Sequence, residues 1–88
     1  MASVVIELFG VPRLRAGWAR REFEASRVGE ALGQLARDCP ALAGTVILGD
    51  RVHPAYKLSL NGERFVDDPE LPLGDGDALL LLAADVGG

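Results

Sequence analysis

The sequence predicts an α+β fold in which a mixed sheet of about five strands packs against one main helix. Two observations carry this prediction. In several short runs apolar residues alternate with polar ones, as in strands, whereas in one longer run they recur every three or four positions, as in an amphipathic helix. Strands that precede and follow a single helix favour a mixed sheet with that helix on one face.

Two strands are predicted before the helix. The first runs from Ser3 to Phe9, and Gly10 and Pro12 interrupt it. The segment RLRAGW that follows predicts a loop or a wide turn, after which RREFEA forms a second strand with Phe23 directed inward. The first strand divides its side chains between two faces, with Val4, Ile6 and Leu8 on one and Val5, Glu7 and Phe9 on the other.

The helix is predicted to end at Pro40. Ser26 is the expected N-cap, although Glu30 stands one position later than a capping box requires. Two glycines inside the helix weaken it by up to about 1 kcal/mol each, so the helix depends on packing. The apolar face follows helical spacing and comprises Val28, Leu32, Leu35, Ala36 and Cys39.

The second half of the chain predicts further strands. An irregular link with a short strand at 45–48 leads to the strand AYKLSL, in which Tyr56, Leu58 and Leu60 alternate with Lys57 and Ser59. Asn61-Gly62 predicts a hairpin turn with positive φ at both central residues, and RFV returns as a short strand. The segment DDPELPLGDGD consists of turn-forming residues, and the last strand runs from Ala78 to Ala84.

The last strand, ALLLLAA, is apolar on both faces. Leu79, Leu81 and Ala83 point one way, and Leu80, Leu82 and Ala84 point the other way. Such a strand is typically covered on both sides, but one helix covers only one side. Two interpretations follow. Either the segment ALAGTVIL covers the second face, or that face is an exposed apolar patch that binds a partner protein.

Composition and charge argue against several classes of function. The net charge of −4 over 88 residues argues against nucleic-acid binding, which requires clustered Lys and Arg. No apolar run reaches the roughly 20 residues of a membrane span, and we expect no export signal. The single cysteine leaves no internal disulfide, so a cytoplasmic protein is expected.

Conventional catalytic groups are scarce. His53 is the only histidine, and no nucleophile or orienting group is recognisable beside it. One Cys and one His do not make a zinc site, and GDGD lacks the remaining ligands of a calcium loop. We therefore expect neither a metal site nor a permanently bound cofactor.

The C-terminal sequence AADVGG has a more distinctive chemistry. A carboxylate can be activated by ATP as an acyl-adenylate, and the chain that carries it into another protein's nucleotide pocket must be thin and extended. Glycine has no Cβ, so foreign backbone and phosphates can approach it closely. Gly87 and Gly88 thus predict a reactive terminus, with residues 1–84 forming the domain and residues 85–88 a flexible tail.

Three segments together resemble the MoaD/ThiS family of ubiquitin-like sulfur carriers, whose fold is the β-grasp. They are LNGERF at 60–65, LPLGDGDALLLL at 71–82 and the closing Gly87-Gly88. The match spans nearly the whole chain, although Ala83-Ala84 stands where relatives often have prolines. The long segment LGDRVHPAYK makes the chain more similar to the small subunit of molybdopterin synthase than to thiamin-pathway carriers.

The resemblance implies how the tail works. An E1-like adenylating enzyme binds the sheet face opposite the helix, takes Asp85, Val86 and Gly87 into its ATP–Mg site and activates Gly88 as an acyl-adenylate. A sulfur donor converts Gly88 to a thiocarboxylate, which feeds a biosynthetic enzyme such as the large subunit of molybdopterin synthase. The chain is then a carrier, and its partners are the catalysts. Residues expected to bind the partner on the sheet face are Val5, Phe9, Leu58, Leu80 and Leu82.

Alternatives to this interpretation remain open. The sulfur could instead serve cysteine, thiamin-like or secondary-metabolite synthesis. The chain could also be a protein modifier that is joined through Gly88 to lysines of target proteins. A third alternative is a β-grasp interaction module whose terminus has no role, in which case deletion of Gly87 and Gly88 leaves function intact.

Overall fold

The computed structural model describes residues 1–84, which contain two helices and seven strands. The predicted α+β class is confirmed. The predicted tail at 85–88 lies outside the described residues. In chain order the elements are β1 (Ala2–Leu8), α1 (Gly10–Ala16), β2 (Arg20–Ala25), α2 (Val28–Asp38), β3 (Ile47–Leu48), β4 (Arg51–Val52), β5 (Tyr56–Leu60), β6 (Arg64–Val66) and β7 (Ala78–Ala83).

Five strands form one mixed sheet in the order β2-β1-β7-β5-β6, and β3 and β4 form a separate pair. The central strands β1 and β7 are parallel, and the other neighbours in the sheet are antiparallel. Parallel strands need a long crossover connection, and here that connection includes α2. The mixed sheet with one main helix is the β-grasp fold that the resemblance implies.

One hydrophobic core fills the space between the sheet and α2. Leu79 and Leu81 of β7 are fully inaccessible to solvent, as is Leu35 of α2. The predicted apolar face of the helix is confirmed with one difference: Ala31 is buried, whereas Ala36 is only partly so. The inward residues of β1 alternate as predicted and comprise Ala2, Val4, Ile6 and Leu8.

The start of α2 differs from the prediction. Arg27, rather than Ser26, is the N-cap, and it makes no side-chain cap hydrogen bond. The N–H groups of the first two helical residues donate instead to carbonyl oxygens within residues 69–71, at 3.0 and 2.8 Å. Ser26 donates its N–H and its hydroxyl to Oε1 of Glu30, at 2.6 and 3.1 Å. The backbone donor in particular lowers the pKa of Glu30.

The predicted loop RLRAGW is wrong, because most of it belongs to the helix α1. Pro12 lies in the first turn of that helix, where its missing N–H leaves no intrahelical bond unmade. Gly17 ends the helix with φ 82°, and its N–H donates to the carbonyl of Arg13 at 3.0 Å. Within residues 1–84, neither helix has the length and apolar character needed to cross a bilayer.

A close approach between α2 and the segment before β7 requires glycine at position 29. The Gly29 N–H donates to the Pro69 carbonyl at 2.8 Å, and a Cβ on Gly29 would lie 3.0 Å from the Pro69 Cβ. We expect Gly29→Ala to lower the free energy of unfolding by about 1–3 kcal/mol, despite the better helix propensity of alanine.

Gly33 supplies the matched control on the same helix. The nearest atom to a Cβ there is the flexible Arg37 Nη1, at 3.8 Å. Gly33→Ala is therefore expected to raise the free energy of unfolding by about 0.5–1 kcal/mol. Urea unfolding of both variants measures the two effects, and stabilisation by Gly29→Ala would contradict the close approach.

Candidate functional site

The candidate site is the sheet face opposite α2, here called the open face. Residues directly opposite in neighbouring strands point to the same face, so the strand register assigns its members. Leu80 lies near the centre, opposite Glu7 of β1 and Ser59 of β5. From β2 to β6 the open face comprises Arg20, Glu22, Glu24, Ser3, Val5, Glu7, Ala78, Leu80, Leu82, Lys57, Ser59 and Phe65.

The centre of the open face is apolar and partly accessible. Leu80 and Leu82 are half-buried, as is Val5 on the adjacent strand, whereas Leu79 and Leu81 are fully buried on the other side of β7. Of the two interpretations of this strand, the structure favours the exposed patch. The segment ALAGTVIL packs in the core with the inward strand residues, through Leu42, Val46 and Ile47.

Phe65 extends the apolar surface to the edge strand β6, and its side chain is 60% exposed. Lys57, the only lysine in the chain, places its Nζ 4.7 Å from the centroid of the Phe65 ring, in a cation–π contact. The predicted site contained neither residue. The alternation of β5 is the signal that would have found Lys57, which lies opposite Leu82. Phe65 reaches the open face through the register of the β5–β6 hairpin, in which it lies opposite Ser59.

Charged side chains border the open face at β2. Glu22 and Glu24 are exposed there, and Arg20 lies 4.0 Å from Glu7 in an ion pair. Such an exposed pair contributes little stability. An apolar centre with a charged border has the arrangement of a protein-binding surface.

One predicted member of this surface lies elsewhere. Leu58 is wrong as a member, because it is 2% exposed and lies opposite Leu81 on the core side of the sheet. Because successive side chains of β5 point to opposite faces, Leu58 points to the core while Lys57 and Ser59 point to the open face. Phe9 follows β1 as the N-cap of α1 and is 40% exposed. Its N–H donates to the carbonyl of Leu81 at 3.0 Å, just as the N–H of Val5 donates to the carbonyl of Asp77. Phe9 therefore continues the β1–β7 ladder on the same face as Val5 and Glu7, as predicted.

The strand β7 leads from the open face to the end of the described chain. The N–H of Ala84 donates to the carbonyl of Ala55 at 2.8 Å, which fixes the last described residue beside the start of β5. The predicted tail residues, Asp85, Val86, Gly87 and Gly88, lie outside the described residues, and their roles stay predictions.

The turn motifs at the other end of β7 bond to each other. Asn61 and Gly62 both have positive φ, 57° and 69°, as predicted, but the hairpin pairs Leu60 with Arg64 across a three-residue loop. Asn61 Nδ2 donates to Asp77 Oδ1 at 3.1 Å, and the N–H of Ala78 donates to Asn61 Oδ1 at 2.8 Å. Asp77 Oδ2 also accepts the N–H of Gly74 at 2.8 Å. GDGD is therefore a turn, as predicted, and it ties the start of β7 to the β5–β6 hairpin.

The N–H of Gly74 and the amide of Asn61 lower the pKa of Asp77. Stability from the Asp77 carboxylate is present above the unfolded pKa, about 4, and is lost as pH falls through the lower folded pKa. We expect Asp77→Asn to destabilise the protein by about 1 kcal/mol at pH 7 through lost hydrogen bonds. It should also flatten the pH dependence below about pH 4. Urea unfolding between acidic and neutral pH tests this, with the exposed Asp38→Asn as control, and an unchanged slope contradicts it.

The other groups with catalytic potential have structural partners. His53 Nδ1 accepts the N–H of Ala55 at 3.0 Å, and Trp18 Nε1 donates to the Sγ of buried Cys39 at 3.3 Å. Among residues 1–84, the His, Cys, Asp and Glu side chains form no group of three that could hold a metal ion.

The fold and this surface define a ubiquitin-like β-grasp protein, and solved structures agree with that class. The crystal structure of small archaeal modifier protein 1 from Haloferax volcanii has a TM-score of 0.82 at 26% identity, covering 99% of this chain and 100% of that one. The solution structure of the protein of the same name from Methanosarcina acetivorans has a TM-score of 0.82 at 24% identity, covering 100% and 98%.

A chain in the complex of subunits 1 and 2 of molybdopterin-converting factor from Helicobacter pylori is also similar. Its TM-score is 0.67 at 22% identity, with 98% of this chain and 99% of that chain covered. No protein-family model and no curated protein sequence matches this chain. The resemblance to ubiquitin-like carrier and modifier proteins is confirmed through structure.

Proposed function

We propose that the protein is a ubiquitin-like sulfur carrier of the cytoplasm. An E1-like adenylating enzyme activates Gly88, and a sulfur donor then converts it to a thiocarboxylate. The observation that supports this proposal is the position of β7, which contributes Leu80 and Leu82 to the open face and continues toward the C-terminus. A single partner can therefore hold the open face while it receives the tail.

The proposed chemistry needs only the carboxylate from this chain. An oxygen of the Gly88 carboxylate attacks the α-phosphorus of ATP, and pyrophosphate leaves. A sulfur nucleophile then attacks the acyl carbon, and AMP leaves with the electron pair of the broken C–O bond. The partner binds ATP–Mg and catalyses both steps, so this chain acts as a carrier. Glycine at the end leaves the acyl carbon accessible.

The proposed acceptor of the sulfur is an enzyme such as the large subunit of molybdopterin synthase. The similarity to a chain that is in complex with subunit 2 of molybdopterin-converting factor supports this choice. Cysteine, thiamin-like and secondary-metabolite pathways are the other acceptors that the same chemistry could serve.

Intact-mass measurement tests the proposal. The purified protein is incubated with the adenylating enzyme of the same genome, ATP–Mg and a sulfide source. The expected product is heavier by the difference between one sulfur and one oxygen atom. A variant lacking Gly87 and Gly88, which keeps residues 1–84 unchanged, should give no such product. If the full chain also stays unmodified, the sulfur-carrier proposal is wrong.

A second candidate function is protein modification, which the similarity to a small archaeal modifier protein favours. In this case a lysine amine of a target attacks the acyl carbon of the Gly88 adenylate, so that an isopeptide bond forms and AMP leaves. The single lysine of this chain makes the test clean. Covalent adducts in an extract that require Gly88 but persist with Lys57→Arg would be joined to other proteins. Adducts that disappear with Lys57→Arg would be polymers of this chain.

A further inference from the structure

We propose that α1 and the start of β2 form a second docking surface, outside the open face, for a partner that presents carboxylates around an apolar contact. This α1 surface is defined by Val11, Arg13, Leu14, Arg15 and Arg21. The inference rests on the proposed function in one respect: the occupant is the adenylating protein that receives the tail.

Exposed apolar side chains are the first observation behind this inference. Leu14 is 81% exposed, Val11 is 45% exposed and the adjoining Phe9 is 40% exposed. Single exposed apolar residues are common on protein surfaces, but Val11 and Leu14 are three positions apart in α1 and therefore share one side of this helix. Because Pro12 already fills the buried side of α1, packing within the chain does not account for Leu14.

Local charge is the second observation. Residues 9–21 contain four arginines and no acidic residue, although the chain carries a net charge of −4. Arg20 pairs with Glu7 on the open face, so the other three arginines give the α1 surface its positive charge. Arg13 and Arg15 lie in the last turn of α1, where they also interact favourably with the helix dipole. That interaction accounts for the two positive charges, but it does not account for the exposure of the adjacent Leu14. A concentration of positive charge on an acidic protein selects an acidic partner surface.

The shape of the α1 surface combines these two properties. A groove of about 290 Å³ is lined by Arg13, Leu14, Gly17, Trp18 and Ala19. The Arg21 guanidinium lies 4.5 Å from the centroid of the Trp18 ring, which places another positive charge near it. A carboxylate next to an apolar side chain is the complement of this groove, because it can pair with a guanidinium while the apolar group contacts Leu14.

Position relates this surface to the tail. The N–H of Phe9 donates to the carbonyl of Leu81, so the start of α1 lies against the C-terminal part of β7. A protein that takes the chain beyond Ala84 therefore approaches α1 as well as the open face. The two surfaces differ in character, since the open face is apolar at its centre whereas the α1 surface is basic.

Charge reversal tests the inference. The variants are Arg13→Glu with Arg15→Glu, and Leu14→Asp, with Arg37→Glu on α2 as the matched control. Calorimetric titration with the adenylating enzyme of the same genome should show binding at least tenfold weaker for the α1 variants and less than twofold weaker for the control. The double variant should also lose most of the salt dependence of binding. Circular dichroism and urea unfolding verify that each variant is folded.

The outcomes separate this inference from the proposed function. Equal affinity of all variants, with thiocarboxylate still formed, overturns the α1 surface and leaves the carrier function standing. Weaker binding of the α1 variants without any thiocarboxylate on the wild-type chain supports the surface and overturns the carrier chemistry. Binding of a DNA duplex or of phosphatidylserine vesicles that the double variant loses, with affinity for the enzyme unchanged, assigns the surface to an anionic polymer or lipid and overturns the inference.

Discussion

Replacing Leu80 with arginine is expected to abolish productive binding of the proposed adenylating partner while the domain stays folded. Leu80 occupies the centre of the open face, and its half-buried side chain points away from the core. In the free protein a guanidinium there can reach water. In the complex it would be desolvated without a partner, which costs several kcal/mol and corresponds to about a hundredfold or greater loss of affinity.

Thiocarboxylate formation and calorimetric binding with the adenylating enzyme both measure this loss. Leu80→Met keeps the volume and apolar character of the side chain and should bind within a fewfold of the wild type. Glu24→Arg, at the β2 border of the same face, is the charge control. If Leu80→Arg binds as tightly as Leu80→Met, the open face is not the partner-binding surface.

Replacing Leu79 with alanine is expected to lower the free energy of unfolding by about 3–5 kcal/mol, because this fully buried side chain leaves a cavity in the core. A domain of this size has a total stability of about 5–10 kcal/mol, so the variant should be partly unfolded near physiological temperature. Urea unfolding, with circular dichroism as the signal, measures the change.

The neighbouring Leu80→Ala is the matched control for this effect. It removes the same atoms from the same strand but on the open face, so we expect a loss of about 1 kcal/mol or less. Because the substitution is the same in both variants, any difference in the free energy of unfolding reports which face of β7 the side chain occupies. Similar losses for both variants would contradict the assignment of the two faces of β7.

Much of the sheet could be predicted because successive side chains of a strand point to opposite faces. RREFEA was predicted with the bounds that β2 has in the structure, and the division of β1 and β7 into two faces is confirmed. This alternation assigns the residues of a strand to two faces, but it does not show which of the two faces packs against α2. The helical face of α2 followed equally well from its spacing, and the exchange of Ala36 for Ala31 is a small rotation of that face.

The register of the β5–β6 hairpin could not be predicted in the same way. An Asn-Gly pair usually forms a two-residue loop, which would pair Leu60 with Glu63. The structure pairs Leu60 with Arg64 across a three-residue loop. Because a shift of one residue moves every side chain to the other face, the longer loop brings Phe65 to the open face and Val66 to the core side. The site therefore depends on a turn detail that the sequence pattern leaves open.

The helix α1 was missed for a different reason. Seven residues are too few for a helical period to stand out, and Pro12 and Gly17 both suggest a loop. Their positions are nevertheless compatible with a short helix, since proline is tolerated in the first turn and glycine is favoured just after the last. Such short elements depend on packing against the rest of the domain rather than on local preference.

The central place of β7 has a mechanical consequence. A partner that draws the chain from Ala84 pulls β7 along its own length, and this strand is bonded to β1 on one side and β5 on the other. Tension in that direction loads both ladders in shear, so many hydrogen bonds must break together instead of one after another. At the far end, the contact between Asn61 and Asp77 resists sliding of the strand. The domain should therefore resist unfolding when a pulling force is applied to its last strand.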